Sequence, residues 1–143
     1  MTPHSQQTPL IVPTSTHVLQ GKWEVWSVPS LVNEQWKVLS NEAQRLHIKE
    51  QIEELAQCDS PSAPGNMLDV KSCENFYYLR DWNGVLFPVN LRLFFGLHHR
   101  LKRIVLLGII DKKSQKLGNV YKLRMSKRWR DIEEQLNMQI ARQ

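Results

Sequence analysis

Clustered lysines and arginines in the second half of the chain have the type and spacing to hold an anion. Residues 104–110 are apolar on both faces, as is typical of a central strand covered on both sides, and they are followed directly by lysines. Bulky apolar neighbours flank two arginines in other strand-like segments. Cations fixed at the end of a rigid sheet suit a polyanion. These residues are Arg80, Arg92, Lys112, Lys113 and Lys116.

The two residue types offer different chemistry. Neighbouring cations depress one another's pKa, so a clustered lysine can act as an acid or base near neutral pH. Arginine is confined to charge stabilisation and bidentate phosphate contact. Simpler interpretations stay open, because Arg80 and Arg92 can form structural ion pairs with Asp81 or Asp111. Lysines that follow a strand can also be ordinary solvent-exposed residues that keep the protein soluble.

The positive charge is confined to one part of the chain. The 143 residues carry a formal net charge of +5, but residues 80–143 hold fourteen basic and five acidic side chains, a net charge of +9. Such a segment can steer a protein toward phosphate. No stretch approaches the roughly 18 apolar residues that span a membrane, and there is no secretory signal pattern. With Cys58 and Cys73 interpreted as free thiols, we expect a cytoplasmic protein that does not enter a membrane.

The elements that must position these cations follow from pattern. Residues 1–21 are rich in Pro, Thr, Ser and Gln and predict a disordered or loosely docked tail. Residues 22–143 predict one domain, which begins with a strand at 22–28 and two helices, the second capped by Asn41 with Gln44. Strands at 67–70, 76–80, 90–95 and 104–110 and a helix from a capping Asn119 to about residue 140 complete it.

The fold class predicted is therefore α+β. An N-terminal strand and a helical hairpin pack on a mainly antiparallel sheet of three to five strands, and a C-terminal helix follows. Residues 83–84 predict a tight turn. Leu46 and Leu123 are assigned to the core-facing sides of their helices. Of the five tryptophans, only Trp82 is expected to be exposed.

The segment LRLFFGLHHRLKRIVLLGIIDKKSQK, with FYYLR before it, resembles the strand-turn-strand core of the RelE/ParE toxin superfamily. It is most similar to the phage-derived RelE-like branch that includes HigB, in which a basic turn, an apolar strand, a KKxQK-like run and a charged helix follow one another. The similarity covers about residues 76–136. Two departures are Leu117-Gly118, where that branch has Thr-Pro, and the segment WNGVLFP between the first two strands.

The resemblance implies the toxin of a type II toxin–antitoxin pair, which cleaves mRNA on the ribosome without a metal or organic cofactor. It also implies a cognate antitoxin, often a helix-turn-helix protein, and a monomer or weak dimer. RNA can be cut by its own 2′-hydroxyl, which attacks the adjacent phosphate while the protein moves protons and stabilises charge. On this basis Arg80, Arg92, Lys112, Lys113 and Lys116 become the candidate catalytic residues.

A second group of residues is interpreted as an RNA- or ribosome-facing surface. Two adjacent histidines in the turn point in different directions, which argues against a shared metal. Gln115 can hydrogen-bond a base edge and Tyr121 can stack on a base, although a plain polar turn and packing on the sheet are equally simple interpretations. The RNA-binding candidates are His98, His99, Arg100, Lys102, Arg103, Gln115 and Tyr121.

Two other functions remain open from sequence. ParE-type members of the superfamily act on DNA gyrase, so the fold also supports a non-catalytic inhibitor or binding protein. A degenerate toxin, kept only as the partner of its antitoxin, is the third possibility.

Overall fold

The computed structural model describes residues 10–14, 21–66, 68–113 and 118–142. Within these ranges the chain forms six strands, three α-helices and one short 3-10 helix. In chain order they are β1 (Val12–Pro13), β2 (Glu24–Ser27), α1 (Leu31–Val38), α2 (Glu42–Gln57), β3 (Asp69–Cys73), β4 (Phe76–Asp81), the 3-10 helix (Gly84–Leu86), β5 (Leu91–His98), β6 (Arg103–Asp111) and α3 (Asn119–Ala141).

The α+β class is confirmed, and the sheet is mainly antiparallel. Its strand order is β1-β2-β6-β5-β4-β3, and only β2 and β6 run parallel among the described strands. The expected strand count of three to five is too low, because the sheet has six strands. The additional edge strand comes from the segment assigned to the tail, where Val12 is in register with Ser27 and Pro13 with Trp26. A proline fits there because an edge strand has one unpaired side.

Helices cover both faces of the central strands. On one face Leu93, Leu106 and Ile109 line a cavity of about 600 Å³ that they share with α1, α2 and β1. On the other face α3 lies so close that a Cβ on Gly96 would sit 2.2 Å from the ring of Trp129. All eight residues of β5 are buried as a result. The polar residues that β5 carries are therefore held in fixed directions.

The predicted helix caps are partly right. Asn41 Oδ1 accepts a hydrogen bond from Gln44 N (2.9 Å), as expected, but Gln44 Oε1 accepts from Ser40 N (2.7 Å) rather than from Asn41. Asn119 is the first residue of α3 and not its cap, which is Gly118.

Some side chains assigned to the core face solvent. Leu123 and Leu46 are exposed, as is Trp36, whereas Trp82 is exposed as predicted. In α3 the buried stripe runs through Met125, Trp129, Ile132 and Leu136. Leu123 lies two residues before that stripe begins, a rotation of about 200° that places it on the opposite side of the helix.

No helix in the described ranges is both long enough and apolar enough to cross a membrane. Cys58 and Cys73 are both free and half-buried.

Candidate functional site

Arg80 and Arg92 lie side by side on adjacent strands. They are directly opposite in the register of β4 and β5, and the same row continues to Asp69 on β3 and Ile110 on β6. Because partners in a register row project to the same face of a sheet, the two guanidinium groups are held close together. They point to the face covered farther along by α3, since Phe94, two residues after Arg92, contacts Tyr121 of that helix.

Arg92 is anchored by uncharged groups. Its side chain is buried, and Nη1 donates to Asn90 Oδ1 and to the Leu91 carbonyl, both at 2.8 Å. The guanidinium carbon lies 6.0 Å from the centroid of the Tyr78 ring. Burial and the nearby charge of Arg80 lower the pKa of Arg92, yet a guanidinium remains charged at neutral pH. Arg92 thus presents a positioned cation held by neutral partners.

Arg80 has an acidic partner that sequence reasoning did not find. Its Nε donates to Asp69 Oδ2 at 2.8 Å, so neither Asp81 nor Asp111 takes the role expected for a structural ion pair. Both side chains are more than a third exposed. An exposed pair of this kind contributes little to stability, and a phosphate can therefore compete for the guanidinium.

Lys112 joins the two arginines at the end of β6. Its backbone N–H donates to the Asn90 carbonyl (2.8 Å), which continues the β5–β6 pairing one residue beyond the strand. Burial and then the charges of Arg92, Arg80 and Lys122 lower the pKa of Lys112. A lysine in such surroundings can exchange a proton more readily than an ordinary surface lysine. We call Arg80, Arg92, Lys112 and Lys122 the cationic cluster.

Lys122 is a member that sequence reasoning missed, since it was assigned to a solvated helix face. It lies in the first turn of α3, and its N–H donates to the Gly118 carbonyl. The signal available in the sequence was its position in the first turn of α3, the next element after β6 in the chain.

The other predicted catalytic lysines do not join this cluster in the described structure. Lys113 Nζ lies 2.7 Å from Asp111 Oδ2 and is largely exposed, as expected if successive residues point to opposite sides. Gln115 and Lys116 lie outside the described residues. Of the five candidates, Arg80, Arg92 and Lys112 are brought together.

The predicted RNA-binding turn lies at the other end of the sheet. His98 ends β5, six residues from Arg92, which corresponds to about 20 Å along a strand. His98 is buried: its Nδ1 accepts from the Leu101 N–H (3.2 Å) and its Nε2 bonds Asn137 Oδ1 (2.8 Å). His98 therefore links the turn to α3, and because both ring nitrogens are hydrogen-bonded within the protein, it is not a candidate for RNA contact.

The rest of the turn packs on tryptophans of the N-terminal segment. His99 contacts Trp23 edge-on, and Lys102 Nζ lies 4.9 Å from the centroid of the same ring. Arg103 lies over Trp26 and donates to Glu24 Oε1 at 3.2 Å. Arg100 is exposed. These contacts give the turn a structural role that sequence reasoning did not foresee.

Tyr121 packs on the sheet instead of facing solvent. Its ring centroid lies 5.1 Å from that of Phe94. Burial, followed by the charge of Glu34, raises the pKa of the Tyr121 hydroxyl, so the group stays protonated. Tyr121 therefore packs against β5 at Phe94, two residues along the strand from Arg92.

No group of three His, Cys, Asp or Glu side chains in the described parts of the chain is arranged to hold a metal ion. The cationic cluster instead combines two fixed guanidinium groups with a lysine of lowered pKa, an arrangement that can neutralise a phosphate and exchange a proton beside it.

No protein-family model, curated protein or solved structure matches the chain.

Proposed function

We propose that this protein is a metal-independent endoribonuclease that cleaves mRNA on the ribosome, the toxin of a type II toxin–antitoxin pair on a RelE-like, HigB-like fold. The observation that carries the proposal is the convergence of Arg80, Arg92 and Lys112 at one end of the sheet. Arg80 and Arg92 lie on adjacent strands and Lys112 directly follows a third strand. They are three of the five catalytic candidates that the family resemblance selects.

The proposed reaction is attack by a ribose 2′-hydroxyl on the adjacent phosphorus. Neutral Lys112 takes the hydroxyl proton as the 2′-oxygen–phosphorus bond forms, and Arg80 and Arg92 stabilise the charge on the phosphorane oxygens. The bond to the 5′-oxygen then breaks, and that oxygen takes a proton from an ammonium group, for which Lys122 is the candidate. The products are a 2′,3′-cyclic phosphate and a 5′-hydroxyl, and no atom changes its oxidation state.

The same proposal sets partners and compartment. The protein would act in the cytoplasm on ribosome-bound mRNA and be held inactive by a cognate antitoxin, a helix-turn-helix protein. It would be a monomer or weak dimer. The mRNA substrate and the antitoxin rest on the resemblance of residues 76–136 to the HigB-like branch.

The test is cleavage of mRNA on purified ribosomes, with the cut sites mapped by primer extension. Replacement of Lys112 by methionine should slow cleavage about 100-fold or more, the usual loss when a positioned acid or base is removed. Lys113→Met is the matched control, because Lys113 is the next residue and faces Asp111. Intact mRNA with the unchanged protein, or equal losses in both variants, contradicts the proposal.

A second candidate is a non-catalytic binding protein on the same fold, either a gyrase inhibitor or a degenerate toxin retained by its antitoxin. Two observations favour it: Arg80 already has an acidic partner in Asp69, and the histidines predicted for RNA contact lie at the far end of β5. A DNA supercoiling assay with gyrase distinguishes the first form. Expression without growth arrest distinguishes the second.

A further inference from the structure

The loop that joins β4 to β5 exposes apolar side chains and follows Arg80 closely in the chain. Trp82, Val85 and Phe87 are 55 %, 49 % and 65 % exposed. The ring centroids of Trp82 and Phe87 are 6.3 Å apart at an interplanar angle of 49°, so neither ring covers the face of the other. Exposed aromatic side chains that lie against each other are a candidate binding surface.

The loop is held rigidly in this exposed arrangement. Asp81 Oδ2 lies 2.9 Å from His47 Nε2 and accepts from Gln51 Nε2 at 2.6 Å, while its Oδ1 accepts from the Asn83 N–H at 3.0 Å. Burial would raise the pKa of Asp81, but these hydrogen bonds outweigh it and the pKa is lowered. The carboxylate therefore stays charged and fastens the start of the loop to α2.

Further contacts fix the rest of the loop. Gln44 Nε2 donates to the Val85 carbonyl (3.1 Å), and Leu86 is fully buried. Gly84 has φ +57°, a conformation that favours glycine at the start of the 3-10 helix. The aromatic rings are thus exposed on a loop whose backbone is pinned, and an ordered ring binds with little further loss of conformational entropy.

The loop is also continuous with the cationic cluster. It leaves β4 directly after Arg80 and Asp81, and enters β5 just before Arg92, whose register partner is Arg80. Trp82 is two residues from Arg80, so their Cα atoms are at most about 7 Å apart. The arginines point to the α3 face, whereas the loop is held by α2 at the other face. An RNA strand that passes around this end of the sheet can therefore place a phosphate at the arginines and a neighbouring base at the loop.

From this continuity we propose that Trp82 and Phe87 form a stacking site for an unpaired nucleobase, so that the protein selects single-stranded over duplex RNA. The inference deepens the proposed function and rests on RNA being the ligand of the cationic cluster. An aromatic face binds any base by stacking, whereas bases in a duplex are already stacked on each other. The segment Trp82–Pro88 is also where the chain departs from the HigB-like pattern.

The experiment measures binding of a short fluorescein-labelled RNA, 2′-O-methylated so that it cannot be cut, alone and annealed to its complement. The Trp82→Ala/Phe87→Ala variant should bind the single strand about five-fold to 100-fold more weakly, the loss expected for one or two stacked bases. Its affinity for the duplex should hardly change. Trp36→Ala is the matched control, because Trp36 is equally exposed on α1.

A second variant guards against a folding defect. Trp82→Leu keeps an apolar side chain but loses the ring, and it should also lose affinity for the single strand while its melting temperature stays that of the unchanged protein. Unchanged single-strand affinity in both variants, or an equal loss in Trp36→Ala, overturns the stacking site.

Binding and cleavage are measured separately, so the stacking site and the nuclease can fail independently. A protein that prefers single strands through Trp82 and Phe87 but never cuts mRNA refutes the nuclease and supports the stacking site. One that cuts mRNA with unchanged affinity in the double variant does the reverse. A protein that binds neither RNA refutes the stacking site, and cleavage of mRNA on ribosomes then decides the nuclease by itself.

Discussion

Arg80 and Arg92 are direct cross-strand partners, so the sheet places two positive side chains next to each other. Like charges in such a pair destabilise a sheet by up to about 1 kcal/mol. Asp69 forms an ion pair with Arg80, while Arg92 is buried against Asn90 and a backbone carbonyl. An arrangement that costs stability and lies at a sheet end is typical of a site that binds an anion.

Replacing Arg92 by methionine should separate stability from function. We expect the free energy of unfolding to change by less than about 1 kcal/mol, because removal of the repulsion with Arg80 offsets the loss of the hydrogen bonds to Asn90 and Leu91. Cleavage of mRNA should fall sharply. Urea denaturation at low salt measures the first quantity. Arg103→Met is the control, since Arg103 pairs with Glu24 and lies over Trp26, and it should lower stability without affecting cleavage. An Arg92→Met variant destabilised by clearly more than about 1 kcal/mol would contradict this account.

Lys112 should make both stability and activity depend on pH in the alkaline range. Burial and the charges of Arg92, Arg80 and Lys122 hold its pKa below the ordinary 10.5. The folded state therefore loses this proton at a lower pH than the unfolded state. Between the two pKa values the unfolded state binds more protons, so the free energy of unfolding rises with pH. At lower pH, where Lys112 is protonated in both the folded and the unfolded state, its positive charge destabilises the folded state to the full extent.

This rise should be present in the unchanged protein and absent from Lys112→Met, with chemical denaturation measured at several pH values. If neutral Lys112 is the base, the cleavage rate should also climb as pH approaches its lowered pKa. Arg92→Met should move that limb of the rate profile to higher pH, because a neighbouring charge is lost. If the pH dependence of the cleavage rate is unchanged in Arg92→Met, a group other than Lys112 is the base.

The sequence allowed the convergence of Arg92 and Lys112 to be predicted, because antiparallel arms place the start of one strand beside the end of the next. The same logic separates His98 from Arg92, since an eight-residue strand is about 25 Å long. The turn at residues 98–103 and the candidates near the end of β6 are therefore too far apart to form one RNA-binding surface.

Other features depend on tertiary register, which local pattern does not encode. The Asp69–Arg80 pair requires knowing that β3 pairs with β4 in a particular register. The edge strand at Val12 has only two residues, too few for periodicity to detect. Trp36 looked like core by residue type, yet it is exposed on the outer side of α1, with the guanidinium carbon of Arg45 4.0 Å from its ring centroid.

His98 should prove structural. The His98→Ala variant loses the hydrogen bonds to Asn137 and to the Leu101 N–H, so we expect the free energy of unfolding to fall by about 1–3 kcal/mol. Arg100→Ala, in the same turn but exposed, should change it by less than about 0.5 kcal/mol. At a temperature where both variants are folded, cleavage per folded molecule should match that of the unchanged protein. A cleavage defect in His98→Ala under those conditions would show that the turn takes part in RNA contact.

Asp69→Asn should increase affinity for RNA. The substitution removes the carboxylate that occupies Arg80 at 2.8 Å and leaves the guanidinium available to phosphate. The slope of log affinity against log salt should steepen by up to about one unit, the signature of one further phosphate contact. The loss of stability should stay below about 1 kcal/mol because the pair is exposed. Asp59→Asn is the matched control: Asp59 pairs with Lys22 on the surface outside the cationic cluster, and its removal changes net charge equally. If both variants steepen the slope alike, the gain comes from overall charge, and Arg80 is not a phosphate contact.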